Sequence, residues 1–332
     1  MCARSRRSAT STGRSPSSPW ASRGRRATPP DPEASASCRA GRARVASPEV
    51  LLTNLLYGLT IASALVLISS GLSLIFGIVG VVNFAHGSFG MLGAYLGFSL
   101  VMATGSFWAA LLLAPLIVTA GAIVMERLTL RPLYGLNPLY QLFLTFALSL
   151  VFSNLVLLVW GGDTVSIPTP SYLRGFVSIF GIAYPTFRLF VLVFSACLAA
   201  ALWLFIGRSA WGAVLRAGLH NMEMVEAFGI NTRALVTAVF AVGAGLAAVA
   251  GVVMGAMRSV NPEMDLDLIT SALVVVVIGG LGSFRGAVIG SLILGTAESF
   301  GAQLLPGLAK FVVWIVMAAI LLWRPEGLVK DA

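Results

Sequence analysis

From about residue 50 onward the chain presents one apolar stretch after another, each near the length of a bilayer crossing, and this limits what it can fold into. A helix needs about 20 apolar residues to span the hydrocarbon. Leu51–Ser69, Gly87–Met102, Phe107–Met125, Leu139–Trp160, Leu189–Ile206, Ala234–Met257 and Phe311–Trp323 read as spans. Gly71–Asn83 is short and glycine-interrupted, and the apolar stretch from Ile269 to Phe300 is broken at Gly279, Gly280 and Gly282. The pattern predicts an all-α polytopic membrane protein of about 8–10 transmembrane helices, Gly-broken half-helices included.

Composition agrees. The chain is 58% hydrophobic and 11% charged, with a mean hydropathy of +0.91, whereas soluble domains carry about 25% charged residues. Lipid is therefore the solvent for most of it. Ten of the 22 basic residues lie between Arg4 and Arg44. Two units follow: an Arg/Ser/Pro-rich leader over 1–48, too polar to bury a core, and a transmembrane domain over 49–332. The leader reads as a transit peptide, a twin-arginine signal at Arg6 and Arg7, or translated upstream sequence; the abrupt change in hydropathy near residue 50 favours the last. Beyond it, charge is nearly balanced, and the basic residues are not interleaved with aromatics as nucleic-acid binding requires.

Arginine placement predicts orientation. Arg127 and Arg131 share one short loop, Arg208, Arg216 and Arg233 another, and Arg324 and Lys330 close the chain. These are expected in the cytoplasm, with loop 161–186 and the acidic loop Asn261–Asp267 outside. If both broken segments contribute passes, both termini are cytoplasmic. Gly282, Gly286 and Gly290 recur every four residues, as do Gly93 with Gly97 and Gly251 with Gly255; such spacing lets helix backbones approach closely in lipid. Breaks within apolar segments mean more. Irregular backbone at membrane depth survives only where protein or a water-filled cavity satisfies it, and paired broken segments point to a transporter's central pathway. The pathway is expected along Asn83–Ser88 and Gly279–Ser283, with Gly279, Gly280, Gly282 and Ser283 at the second break. Asn83, His86 and Ser88 either line it or satisfy backbone freed by the glycines.

Several chemistries find no support. A P-loop needs lysine after glycine, but Lys310 and Lys330 follow Ala309 and Val329, so ATP hydrolysis by that motif must come from a partner. The two histidines, His86 and His220, and the cysteines Cys2, Cys38 and Cys197 offer no metal-ligand spacing and no disulfide framework. No cofactor is implied, and no nucleophile–base pair suggests an enzyme. An ion-driven carrier usually holds intramembrane acids. Glu298 is the candidate, with snorkelling to the interface as its other reading; Glu126 ends a span, and Asp163, Asp265 and Asp267 fall in loops.

Arg208–Arg233 is the longest charged stretch of the transmembrane domain. Asn221 is placed to cap a short helix from Met222, with Glu223 in the first turn, where the dipole favours an anion, and Gly229 closing it. Met222, Val225 and Phe228 recur at i, i+3 and i+6. This apolar face must bury either on the protein's own surface or in a groove of a soluble partner.

Gly71–Tyr95, with its Asn83-Phe-Ala-His-Gly87 core, resembles the N-terminal signature of the LivH-type permeases of branched-chain amino acid ABC transporters. Glu226-Ala-Phe-Gly-Ile-Asn231 is similar to that family's coupling motif, Gly279–Gly290 to its late Gly-rich signature, and Arg324–Leu328 to its ending. The resemblance covers residues 50–330. It implies an inner-membrane importer subunit in membrane lipid, working with a second homologous permease, two ATP-binding subunits and an extracytoplasmic solute-binding protein. The coupling role carries over to Glu226, Ala227 and Gly229. Phe228 stands where the family usually has alanine, and Arg216, Asn221 and Glu223 belong to the same segment. Branched-chain or related neutral amino acids are the implied substrates. The rival readings are a permease for urea, amides, aromatic acids or sugars, and a self-contained secondary carrier using Glu298.

Overall fold

The computed structural model describes residues 48–179, 181–304 and 306–329. The expected leader, residues 1–48 with its three readings, lies outside the described residues except for Pro48, which begins the first helix. The order is α1 (Pro48–Val79), α2 (Ala85–Thr104), α3 (Phe107–Met125, continued by a π-turn over Glu126–Leu130), α4 (Pro138–Trp160), β1 (Phe176–Ile179), β2 (Ile182–Pro185), α5 (Thr186–Arg208), α6 (Ala210–His220), α7 (Met222–Ala227), α8 (Thr232–Met257), α9 (Met264–Gly279), α10 (Phe284–Leu304) and α11 (Ala309–Trp323). Seven of these, α1 to α5, α8 and α10, are long and apolar enough to cross a membrane. The shorter α9 and α11 are apolar helices of 16 and 15 residues. The chain is an all-α multi-pass membrane protein.

Polar side chains set the helix starts. Asn137 accepts from the Leu139 amide (3.0 Å) ahead of Pro138, Asn231 from Ala234 (3.1 Å), and Ser209 from Gly212 (2.9 Å). Each satisfies a backbone donor that the first turn leaves open. Glycines decide how closely the helices sit. A Cβ on Gly251 of α8 would overlap the Gly90 carbonyl of α2, so these backbones touch directly and gain the dispersion contacts that hold helices together in lipid.

The two ends differ in charge. Gly77 near the end of α1 meets Leu219 and Gly282, and Val329 folds onto Gly280. Arg127, Arg131, Arg208, Arg216, Arg233, Arg285 and Arg324 gather at this end. Arg174, Arg188 and Arg258 lie at the other. There, β1 and β2 form a hairpin with Phe176 opposite Pro185. Its buried Tyr184 shares a hydrogen bond with Thr60 of α1 (2.6 Å), and Arg188 sits 4.5 Å above the Tyr57 ring. Burial raises the Tyr184 phenol above its ordinary range, so it stays a donor.

One expectation changes. The expected break at Gly71–Asn83 falls later: α1 runs unbroken through Gly71 and Gly77, and the chain leaves helix only at Gly80–Phe84. The side on which each terminus lies concerns residues 1–47 and 330–332, outside the described residues.

Gly251→Val is expected to lower the unfolding temperature in detergent by several degrees, because overpacking costs about 1–3 kcal/mol. Gly121→Val, where nothing stands within 4 Å of the added carbon, should leave it unchanged. Equal effects would contradict the α2–α8 contact.

Candidate translocation and coupling site

α1 has 32 residues, about 48 Å of helix at 1.5 Å per residue, against about 30 Å of hydrocarbon. The excess lets Gly80–Phe84 run back beside it before helix resumes. Val81, Val82 and Asn83 border a small cavity with Ile75 and Val79 of α1 and Thr145 of α4. The Phe84 amide donates to the Thr145 hydroxyl (3.3 Å), and the Ala85 amide to the Asn83 side-chain oxygen (3.1 Å). These bonds satisfy a backbone that has left helix within the bundle. α2 therefore starts deep in the protein. His86 is fully buried against α1, its Nε2 2.9 Å from the Ile68 carbonyl.

A second helix starts at the same depth. After α8 the chain turns back, with the Val260 amide donating to the Val165 carbonyl at 2.7 Å, and α9 begins at Met264. Asp265, in its first turn, is 2% exposed. Its Oδ2 accepts from Ser153 (2.6 Å), Ser149 (3.1 Å) and Ser88 (3.4 Å), and its Oδ1 from the Leu266 amide (2.9 Å). Ser149 lies midway along α4. A Cβ on Gly87 would overlap the Asp265 carbonyl, so the starts of α2 and α9 abut. Each contributes the positive end of a helix dipole. Two helix ends and three hydroxyls thus hold a carboxylate that would be costly to bury alone. The expectation that Asp265 lies in an outer loop is corrected: it stands in the first turn of α9, buried among α2 and α4. Glu298 instead pairs with Arg258 at 2.8 Å, both partly exposed, in keeping with its interfacial reading. Asp267 is also in α9, although exposed.

The other break lies elsewhere. Gly279–Ser283 makes the turn from α9 to α10 at the arginine-rich end. Gly280 (φ 109°) and Gly282 (φ 82°) adopt backbone that favours glycine, and Ser283 caps α10 through the Gly286 amide (2.9 Å). Leu328 and Val329 donate to the Ile278 and Gly279 carbonyls (2.9 and 3.0 Å). Two stretches far apart in sequence, 279–283 and 324–329, form one closed corner. Gly282 packs on Gly77 and His86 on Gly71, six residues along α1, roughly 9 Å apart in depth. Ser88 therefore meets Asp265, while His86 turns to α1 and Asn83 to the small cavity beside Thr145, and Gly279, Gly280, Gly282 and Ser283 do not join them. Sequence reading missed that partner of Ser88. The only signal for it was an acid two residues after Glu263, at the head of an apolar run.

Asn221 accepts from the Met224 amide (3.0 Å) and opens α7 at the predicted residue; Gly229 (φ 78°) ends it. Val225 is buried, but Phe228 is 78% and Met224 56% exposed, Glu223 and Ala227 are exposed as well, and Glu226 is exposed on the wall of a cavity behind the helix. The expected apolar face is divided: Val225 packs inward, and Phe228 projects away from the protein. Arg216 donates to the Ile206 carbonyl, tying α6 to the end of α5. Behind α7 lies a fully buried Glu126, whose carboxylate accepts from Thr237 of α8 (2.9 Å) and Tyr134 (3.2 Å), with Arg131 at 3.5 Å. Burial, then the Glu126 charge, lifts the Tyr134 phenol well above its ordinary range and keeps it a donor. As a span-end acid beside Arg127, Glu126 gave no sequence sign of this network.

Residues 54–321 match the family model for the branched-chain amino acid transport system permease component. The chain belongs to this family. The permease is 33% identical over 297 residues to the high-affinity branched-chain amino acid transport system permease protein BraD of Pseudomonas aeruginosa, covering 85% of this chain and 97% of that one. It is 32% identical over 291 residues to LivH of Escherichia coli, the permease protein of a system of the same description, covering 83% and 94%. The fructose import permease protein FrcC of Rhizobium meliloti matches at 30% over 132 residues, 38% of this chain and 36% of that one. The match to the amino acid permeases thus runs nearly end to end, and the match to the sugar permease over about a third. The chain is a membrane-embedded transport subunit.

Asp265→Asn is expected to cost about 1–3 kcal/mol of stability, because it turns an acceptor for three hydroxyls into a partial donor. Asp163→Asn, exposed in the loop after α4, should stay within about 0.5 kcal/mol. Thermal unfolding in detergent distinguishes them, and equal effects would contradict the arrangement around Asp265.

Proposed function

We propose that this permease is the membrane-spanning subunit of an ATP-driven importer for branched-chain or related neutral amino acids in the inner membrane, with its arginine-rich end in the cytoplasm. It would work beside a second permease, with two ATP-binding subunits below and an extracytoplasmic solute-binding protein above. The observation that carries this is α7: a short helix at the arginine-rich end, within a chain of the permease family, with Met224 and Phe228 turned outward and left uncovered among the described residues. A mobile ATPase surface seated there would receive those side chains and push on α7. Motion of α7 would reach the bundle through Val225 and Met222, and alternating access would follow at the junction of α2 and α9.

The junction suits a small zwitterion or neutral solute. Asn83 Nδ2 and His86 Nδ1 are buried without partners among the described residues, and buried polar atoms of that kind are normally satisfied by water or ligand. The substrate class draws support from the names of BraD and LivH, since in such importers the binding protein does much of the selecting.

In proteoliposomes holding the assembled importer and its binding protein, Gly229→Pro and Glu226→Lys should each lower ATP-dependent uptake at least about tenfold, the equivalent of 1.4 kcal/mol, with folding intact by gel filtration. Wild-type uptake in both variants would overturn the coupling role. Uptake driven by an ion gradient without ATP would favour the secondary carrier.

A further inference from the structure

Between the π-turn after α3, the start of α8 and the inner side of α7 lies a cavity of about 730 Å³. Arg127, Arg131 and Arg233 line it. Arg131 is engaged by Glu126 and Thr237. Arg127 and Arg233 have no ion pair or side-chain hydrogen bond among the described residues. Glu226 is the single acid on the wall, so the lining carries three positive charges against one negative. Ile78, Val79 and Val236 form an apolar part of the wall, beside Tyr134, Gln141 and Thr232. Close by in sequence, Leu128, Leu136, Leu139 and Tyr140 are each more than half exposed, an apolar surround suited to acyl chains. Guanidinium groups pair well with phosphate oxygens, and basic pockets at the ends of membrane helices suit lipid headgroups.

The geometry points to a binding site for the phosphate of an anionic phospholipid, held by Arg127 and Arg233 with its glycerol and upper acyl carbons against Ile78, Val79 and Val236. Met222 and Glu226 of α7 form the facing wall, so an occupant touches the helix assigned above to coupling. That consequence rests on the importer reading; the binding does not.

The test is native mass spectrometry of the purified full chain in neutral detergent, titrated with phosphatidylglycerol, phosphatidylcholine or inorganic phosphate. Wild type should take up one phosphatidylglycerol in preference to phosphatidylcholine. Arg127→Gln/Arg233→Gln should bind it about 30-fold more weakly, at about 1 kcal/mol per arginine; if that pair does not fold, each single change should cost about fivefold. Arg208→Gln/Arg324→Gln, at the same end but outside the cavity, should bind as wild type does. Equal losses in both pairs, no loss in either, or displacement by inorganic phosphate at concentrations matching the lipid would overturn the assignment. So would retention of the lipid's advantage only when an ATP-binding partner is present, since the arginines would then serve that protein.

Discussion

Water is absent from the hydrocarbon, so any backbone that leaves helix at membrane depth must find its partners within the protein. The permease does this twice at one place. Gly80–Phe84 returns along α1 until α2 can begin, and the chain after α8 turns back until α9 can begin. The two helix starts meet at Asp265 and Ser88. The carboxylate accepts from serines on α2 and α4, so one buried charge ties three helices together around the region where the backbone is least regular.

Elsewhere in the bundle, close backbone contact at glycine does comparable work. Gly90 meets Gly251, and Gly279 meets Gly286, with no room for a side chain. These contacts fix α8 and α10 against their neighbours. At the arginine-rich end, Glu126 and Thr237 link the π-turn after α3 to α8, and the C-terminal strand of residues closes over the α9–α10 turn.

Much of this was legible in the sequence because it depends on period and length. The apolar runs gave the crossing helices, and Asn221 with Gly229 bounded α7 nearly to the residue. Asn83, His86 and Ser88 stood out because polar side chains inside an apolar stretch need a reason. What the sequence hid was pairing. Asp265 reads as part of an acidic loop until Ser149 and Ser153, 112–116 residues away, turn out to face it. Glycines at 279–283 look the same whether they break a helix at mid-depth or turn it at the surface, and only the contact with residues 327–329 decides for the turn. Glu126 looks interfacial because its partner Thr237 lies on another helix.

The account stands on the chain's being one part of an ATP-driven assembly. Affinity purification of the tagged chain from native membranes in mild detergent, with mass spectrometric identification of what accompanies it, tests this most directly. Two P-loop ATPases and a second permease are the predicted companions, and Phe228→Asp should release the ATPases while leaving the permease pair together. A chain that comes out alone, stable and monodisperse, would contradict the account and leave α7 without a role.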